Sequence, residues 1–223
     1  MSEPGKNMRG AATVSVAAII LGAGRSSRMG AHKLLLPLNG KPLLAWSLAA
    51  ACGSRARPVI VALGRAADEV TAALPAGPYQ VVVNSHFAEG MGTTLALAVG
   101  HVPPDAAGAL VLLGDQPFMP TAAIEAVLSA AQAQPERIAM GALGKRRGHP
   151  VYLPRRVFAE VQALRTDEGA RAIIAREVED ITLVSLDNLA DELALLDVDT
   201  LEDYHRAQTL AQRLAQSSEN TPS

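Results

Sequence analysis

The chain has 223 residues, of which 49% are hydrophobic and only 3% are aromatic, and 20 Lys and Arg oppose 22 Asp and Glu. This length suits one well-buried domain, and the balanced charge argues against a nucleic-acid or membrane-surface protein. The single cysteine, Cys52, excludes an internal disulfide. We therefore expect a small-molecule partner and, since no apolar run reaches the length of a membrane span, a cytoplasmic location.

Residues 13–212 are predicted to form one α/β domain between disordered tails at 1–12 and 213–223. Four apolar runs predict strands, at residues 16–21, 58–63, 79–84 and 108–113. A helical pattern follows each run, at residues 42–51, 67–74, 93–100 and 120–132. The runs lack polar alternation, which is typical of a doubly wound, mainly parallel sheet with helices on both faces. After "ERIAMGAL" the rhythm breaks, and "GKRRGHPVYLP" is interpreted as a loop that leads into another helix.

The first apolar run ends in the glycine- and cation-rich stretch "GAGRSSRMGAHK". Gly22 and Gly24 let the backbone approach an anion closely, and Arg28 and Lys33 are placed to neutralise a triphosphate. The alternative is a glycine turn with solvated cations. The stretch lacks the Gly-Lys-Ser/Thr of a Walker loop, and Ser27 stands where a dinucleotide fingerprint needs its third glycine.

Two further loops carry carboxylates that could bind Mg²⁺. Asp115 directly follows the run "GALVLLG", where a carboxylate facing bound phosphates is a natural magnesium ligand, although it could instead cap a turn. Asp197 and Asp199 lie in "LLDVDTLEDY", and either could complete the site. The competing interpretation makes Asp199 and Thr200 the N-terminus of a helix.

Four segments together resemble the nucleotidyltransferases of the molybdenum cofactor cytidylyltransferase type. They are "LGAGRSSRMGAHKLLLPLNGKPLL", "GDQPFM", "RRGHPVYLP" and "DVDTLEDY", and the resemblance spans residues 17–205. It implies the Rossmann-like nucleotidyltransferase fold and attack of a substrate phosphate oxygen on the α-phosphorus of CTP, with release of pyrophosphate. Such chemistry depends on positioning and charge neutralisation more than on an acid–base residue.

The resemblance also implies the roles of individual residues. Those expected at the nucleotide are Leu21, Gly22, Ala23, Gly24, Arg28, Lys33, Asn84, Gly90 and Thr94, with Arg28 and Lys33 as the catalytic pair. Asp115 and Asp199 would coordinate Mg²⁺, and His149, Asp167 and Arg171 would contact the acceptor. Arg146 and Arg147 share the loop of His149. Asn84 could instead cap a turn, and His149 could be structural.

One position bears on the choice of nucleotide base, and two depart from the family pattern. Ala23 precedes Gly24, whereas the related guanylyltransferases have two glycines there, so its methyl group favours a pyrimidine. Gly22 replaces the family's usual alanine, and Thr166 replaces a glycine in "RTDEGARAII".

The resulting expectation is transfer of CMP from CTP to a molybdopterin-type cofactor, with a molybdoenzyme or its chaperone as a further partner. The alternatives are another nucleotide or a sugar or polyol phosphate acceptor, and a non-catalytic chaperone for a molybdoenzyme. A dinucleotide-dependent oxidoreductase is disfavoured by Ser27 and by the absence of a clear ribose-binding acid about 20 residues downstream.

Overall fold

A computed structural model describes residues 14–23, 32–165 and 170–219 of the protein. Its strands are, in chain order, β1 (Val16–Gly22), β2 (Pro37–Leu38), β3 (Lys41–Pro42), β4 (Val59–Leu63), β5 (Tyr79–Val83), β6 (Gly108–Leu113), β7 (Ile138–Leu143), β8 (Arg146–Pro154) and β9 (Ile181–Ser185). Its α-helices are α1 (Leu43–Gly53), α2 (Ala67–Ala73), α3 (Met91–Gly100), α4 (Thr121–Ala133), α5 (Phe158–Gln162), α6 (Arg171–Arg176) and α7 (Leu201–Glu219). The strands and helices predicted as far as α4 are all present.

Seven strands form one sheet in the order β5-β4-β1-β6-β8-β7-β9. The pairs β4–β5, β1–β4, β1–β6 and β7–β9 are parallel, whereas β8 runs antiparallel to both β6 and β7. The predicted mainly parallel sheet is therefore confirmed. Strand order reverses between β4 and β6 around β1, and in such sheets ligands bind beyond the carboxyl ends of the strands at this point.

The interpretation of "GKRRGHPVYLP" as a loop is wrong. Residues 146–154 form β8, which pairs with β7 from Leu143 opposite Arg146 and is joined to it by Gly144 and Lys145. Gly144 has a φ of 54°, the left-handed conformation that a two-residue hairpin turn requires. Polar residues at the start of the strand hid it, because they face the site and not the core.

Helices cover both faces of the sheet, as predicted. In β1, Val16, Ala18 and Ile20 point to the core shared with α1, α2 and α4. Ala17, Ile19 and Leu21 point to the opposite core, and the helices that pack against the sheet there are α3, α5 and α6. All seven residues of β1 are buried, which explains the lack of polar alternation along it.

A third apolar cluster attaches α7 to the β2–β3 hairpin. Tyr204, Ala207 and Ala211 of α7 pack with Leu38 and Leu43, and the hydroxyl group of Tyr204 donates a hydrogen bond of 2.6 Å to the Pro37 carbonyl. This docking places the N-terminus of α7 beside Lys33.

The C-terminal helix is longer than expected. Helix α7 ends at Glu219, so residues 213–219, which were assigned to the disordered tail, are helical. No Gly or Pro interrupts the sequence between Leu201 and Pro222, and this permits the extension. Among the residues described, no helix combines the length and apolar character needed to cross a membrane.

Candidate functional site

The candidate site begins where β1 and β6 end side by side. The Gly114 amide, directly after β6, donates a hydrogen bond of 2.9 Å to the Leu21 carbonyl of β1. A Cβ atom on Gly114 would lie 2.8 Å from Leu44 Cδ1 and 3.1 Å from that same carbonyl oxygen. Glycine is therefore needed for the close approach of the two strands, and the next residue, Asp115, emerges at the sheet edge beside the end of β1.

Lys33 joins the two predicted metal-binding carboxylates. Its ammonium nitrogen lies 2.5 Å from Asp115 Oδ2 and 2.7 Å from Asp199 Oδ1. Lys33 is only 7% exposed, and burial by itself would lower its pKa. The charge of Asp115 and the hydrogen bonds to both carboxylates outweigh burial, so the pKa of Lys33 is raised above its ordinary value.

The helix cap at the start of α7 is formed without the carboxylate of Asp199. Asp203 Oδ2 accepts hydrogen bonds from the Thr200 amide at 2.9 Å and from the Thr200 hydroxyl at 2.7 Å, and the Asp203 amide donates to Thr200 Oγ1. This reciprocal arrangement is a capping box. The predicted helix N-terminus at residues 199–203 is therefore present, and its cap leaves the Asp199 side chain to face Lys33.

The donor set fits a divalent cation. Asp115 and Asp199 each direct one oxygen at the Lys33 ammonium group. This group marks a position where the two carboxylates bind a positive charge. Two carboxylates completed by phosphate oxygens and water are the ligands that Mg²⁺ prefers. In the described part of the chain, no group of three or more His, Cys, Asp or Glu side chains is placed to hold a metal ion.

Asp197 lies close by but has a different partner. The Gln116 side-chain amide donates a hydrogen bond of 2.9 Å to Asp197 Oδ1, and the Val198 amide donates to the Asp115 carbonyl at 3.0 Å. These two bonds align residues 197–199 with residues 115–116. Burial, together with the charges of Asp115 and Asp199, raises the pKa of Asp197.

A cavity of about 370 Å³ adjoins this cluster. Its walls are largely apolar and include Leu21 of β1 and Leu113 of β6. The polar residues that line it are Gln116, Arg146, Arg147, His149, Arg171 and Asp197. The predicted acceptor residues His149 and Arg171 therefore share one cavity with the predicted nucleotide residue Leu21.

His149 is uncharged at neutral pH. Burial, reinforced by the positive charge of Arg171, lowers its pKa to about 4. The cavity thus receives its positive charge from arginine side chains, while the imidazole group offers one neutral donor and one acceptor.

Gly22 and Ala23 lie at the end of β1, where they were expected. A Cβ atom on Gly22 would lie 2.9 Å from Leu63 Cδ2 and 3.1 Å from Leu34 Cδ1. The two leucine side chains therefore fill the space that the family's usual alanine would need. Ala23 is 7% exposed, and its methyl group is 3.1 Å from where a Cβ atom on Gly64 would stand.

Asn84 and Thr94 form a buried pair. The Asn84 amide group donates hydrogen bonds to Thr94 Oγ1 at 2.8 Å and to Thr93 Oγ1 at 2.9 Å, and its carbonyl oxygen accepts from the His86 amide. The turn-capping interpretation of Asn84 is therefore confirmed. Thr94 is completely buried, and neither residue lines the cavity. Gly90, with a φ of 129°, precedes α3, and the next residue, Met91, does line the cavity.

Three of the predicted site residues lie outside the described residues. These are Gly24 and Arg28 in the segment 24–31 and Asp167 in the segment 166–169.

Gln116 is a site residue that sequence reasoning missed. It is 5% exposed and links the loop of Asp115 to the wall of the cavity through Asp197. The sequence signal for Gln116 was its place directly after Asp115 in "GDQP".

The model of the MobA-like NTP transferase domain matches residues 18–182. The chain belongs to this family. It is 30% identical over 205 residues to the nicotine blue oxidoreductase of Paenarthrobacter nicotinovorans, an alignment that covers 86% of this chain and 95% of that protein.

Two solved structures support the family assignment over nearly the whole domain. One is a homologue, from Mycobacterium sp. strain JC1, of the Mycobacterium tuberculosis protein Rv0371c; it is 32% identical, has a TM-score of 0.78, and the match covers 89% of this chain and 98% of the homologue. The other is Rv0371c of M. tuberculosis in complex with manganese, at 28% identity and a TM-score of 0.76, covering 88% and 99% of the two chains. The expected nucleotidyltransferase fold is therefore confirmed.

Proposed function

We propose that this MobA-like NTP transferase domain transfers CMP from CTP to a molybdopterin-type cofactor, releasing pyrophosphate, with Mg²⁺ as its metal ion and the cytoplasm as its location. The observation that carries the proposal is the convergence of Asp115 and Asp199 on one cation position beside an arginine-lined cavity. This arrangement offers one place for a metal-bound triphosphate and a neighbouring place for an anionic acceptor.

On the nucleotide side, the chain supplies binding and charge neutralisation. Bound Mg²⁺ would supply Lewis-acid charge at the α-phosphate oxygens. Asp115 and Asp199 would hold the cation, while Lys33 and Arg28 would bind the phosphates and stabilise the negative charge of the departing pyrophosphate.

On the acceptor side, Arg146, Arg147 and Arg171 supply positive charge to a cavity whose inner walls are apolar. This combination suits an acceptor with a phosphate group and a large, weakly polar body. Neutral His149 can donate a hydrogen bond without adding charge. No proton-transfer residue is required, because the attacking phosphate oxygen of the acceptor already carries a negative charge at neutral pH.

The manganese complex of Rv0371c supports a divalent cation in the related fold. The pyrimidine preference rests on Ala23, whose methyl group reduces the space at the end of β1.

The test is pyrophosphate release measured with each of the four NTPs, with purified molybdopterin-type cofactor present or absent and Mg²⁺ supplied. We expect release that requires CTP, the cofactor and Mg²⁺ together. Pyrophosphate release with another NTP would contradict the assignment of CTP. Pyrophosphate release with a sugar or polyol phosphate would contradict the assignment of the acceptor. Nucleotide binding without turnover of any acceptor would favour the non-catalytic chaperone.

A further inference from the structure

The position of Lys33 conflicts with a role confined to phosphate binding. Its ammonium group is buried and is hydrogen-bonded to both carboxylates that would hold the metal. We infer that Lys33 is a built-in counter-ion for Asp115 and Asp199, which a divalent cation must displace, so that metal binding releases Lys33 to the nucleotide phosphates. This inference rests on the metal site of the proposed function and adds a coupling between metal and nucleotide.

Geometry makes the two cations compete. The Lys33 nitrogen lies 2.5 and 2.7 Å from one oxygen of each carboxylate, whereas Mg²⁺ binds oxygen at about 2.0–2.1 Å. A divalent cation held between the same carboxylates would be within a few ångströms of the ammonium group, where repulsion between a single and a double positive charge is strong. The ammonium group must therefore move when the metal binds.

The local charge makes this competition costly for the metal. Asp115, Asp199 and the adjacent Asp197 contribute up to three negative charges, and Lys33 is the cation that contacts two of them. Loss of the lysine charge would leave the partly buried Asp115 and the more exposed Asp199 without their shared positive neighbour, and the repulsion between the carboxylates would then be relieved by a bound cation. The nucleotide-free protein without Lys33 should therefore bind a divalent cation more tightly than the wild type.

The displaced side chain gains a new partner when nucleotide is present. A triphosphate offers the Lys33 ammonium group several oxygens in place of the carboxylates, so the nucleotide lowers the cost of metal binding and the metal lowers the cost of nucleotide binding. By linkage the two effects are equal. The consequence is that the metal site fills efficiently only when substrate is bound.

The direct test is titration of the nucleotide-free protein with Mn²⁺, following free Mn²⁺ by electron paramagnetic resonance. The proteins compared are the wild type, Lys33→Met, Lys33→Met combined with Asp115→Asn, and the matched control Lys41→Met. Lys41 is an exposed lysine of the neighbouring hairpin that lies over the Trp46 ring. We expect Lys33→Met to bind Mn²⁺ about tenfold more tightly than the wild type or more, the double variant to lose this binding, and Lys41→Met to behave as the wild type.

A second measurement uses only the wild-type protein and therefore does not depend on the folding of a variant. Acylation of each lysine by an amine-reactive reagent is followed by mass spectrometry with and without Mg²⁺. We expect Lys33 to be protected without the metal and to become several-fold more reactive with it, while Lys41 and Lys145 do not change.

The outcomes separate the inference from the proposed function. Equal Mn²⁺ affinities of the wild type and Lys33→Met, with loss of binding in the double variant, would overturn the counter-ion role but leave the metal site in place. Absence of Mn²⁺ binding in every variant, with or without CTP, would overturn both. Unchanged Lys33 acylation on saturation with Mg²⁺ would also overturn the displacement.

Discussion

The ammonium nitrogen of Lys33 lies 2.7 Å from Oδ1 of Asp199, a residue 166 positions further along the chain. The contact joins the loop after β1 to the start of α7. It depends on the docking of α7 against the β2–β3 hairpin, through Tyr204 and the apolar residues around it. The start of α7 therefore forms part of the candidate site.

Replacing Lys33 should reduce both turnover and stability. A well-placed charge at the leaving group is worth about 10²–10³ in rate, so Lys33→Met should lose at least that factor in pyrophosphate release. Treated as a solvated loop cation, Lys33 would contribute little stability, but it is buried between two carboxylates. We expect a loss of about 2 kcal/mol in the free energy of unfolding, below the roughly 3–5 kcal/mol of a fully buried pair, because the Asp199 side chain is 56% exposed.

Urea unfolding monitored by circular dichroism measures that loss, with Lys41→Met as the control. A variant as stable as the wild type would contradict the buried ion pair.

Arg28→Ala should reduce turnover by about two orders of magnitude, because the guanidinium group is expected to stabilise the pyrophosphate charge. Steady-state pyrophosphate release at saturating CTP is the measurement, and Arg55→Ala serves as a matched control, since Arg55 pairs with Glu125 on the surface. An Arg28→Ala enzyme that retains wild-type turnover would remove Arg28 from the catalytic pair.

Asp115→Asn and Asp199→Asn should both raise the Mg²⁺ concentration for half-maximal activity, and both should lower kcat. An amide fills the space of the carboxylate but supplies no negative charge. The Asp199 effect should be nearly as large as the Asp115 effect, because Thr200 and Asp203 form the helix cap.

Asp203→Asn is the control for that pair, since it alters the cap and leaves the two carboxylates untouched. Unchanged half-saturation in Asp199→Asn would leave Asp115 as the protein carboxylate on the metal.

Ala23→Gly should weaken the preference for CTP over GTP. One methyl group is worth about 1–3 kcal/mol of discrimination, so the ratio of kcat/KM values should shift partially and not reverse. The variant should also be slightly less stable, because Ala23 is buried against Gly64. Equal kcat/KM of the wild-type protein with both nucleotides would contradict the pyrimidine preference.

His149 should make stability depend on pH in mildly acidic solution. Its pKa is about 4 in the folded protein, compared with 6.5 for an unperturbed histidine. Between these values the unfolded chain binds more protons, so the stabilising contribution is complete above pH 6.5 and is lost as the pH falls towards 4. The slope cannot exceed about 1.4 kcal/mol per pH unit.

The measurement compares the free energy of unfolding of the wild type and His149→Gln at pH 7, 6, 5 and 4. The wild type should lose more stability than the variant over this range. Parallel curves would show that His149 is protonated equally in both states.

Much of the fold can be predicted from local sequence pattern. Strand β8 could not, and the reason lies in the chemistry of its residues. Apolar runs such as that of β1 predict buried parallel strands because both of their faces are covered. Strand β8 escaped notice because Arg146, Arg147 and His149 face the cavity, so its N-terminal half has the composition of a loop.

Local pattern was enough to predict the alternation of strands and helices, and it identified the types of residue that could bind phosphate and metal. Which carboxylate joins Asp115 could not be read from it, because Asp197 and Asp199 have equivalent local patterns. Packing gives the two carboxylates different partners: the Gln116 amide donates to Asp197, Thr200 and Asp203 form the helix cap, and Asp199 faces Lys33. The physical reason is that hydrogen-bond partners distant in the chain are assigned by the packing of α7 and β6, and packing at that range has no signal in local sequence.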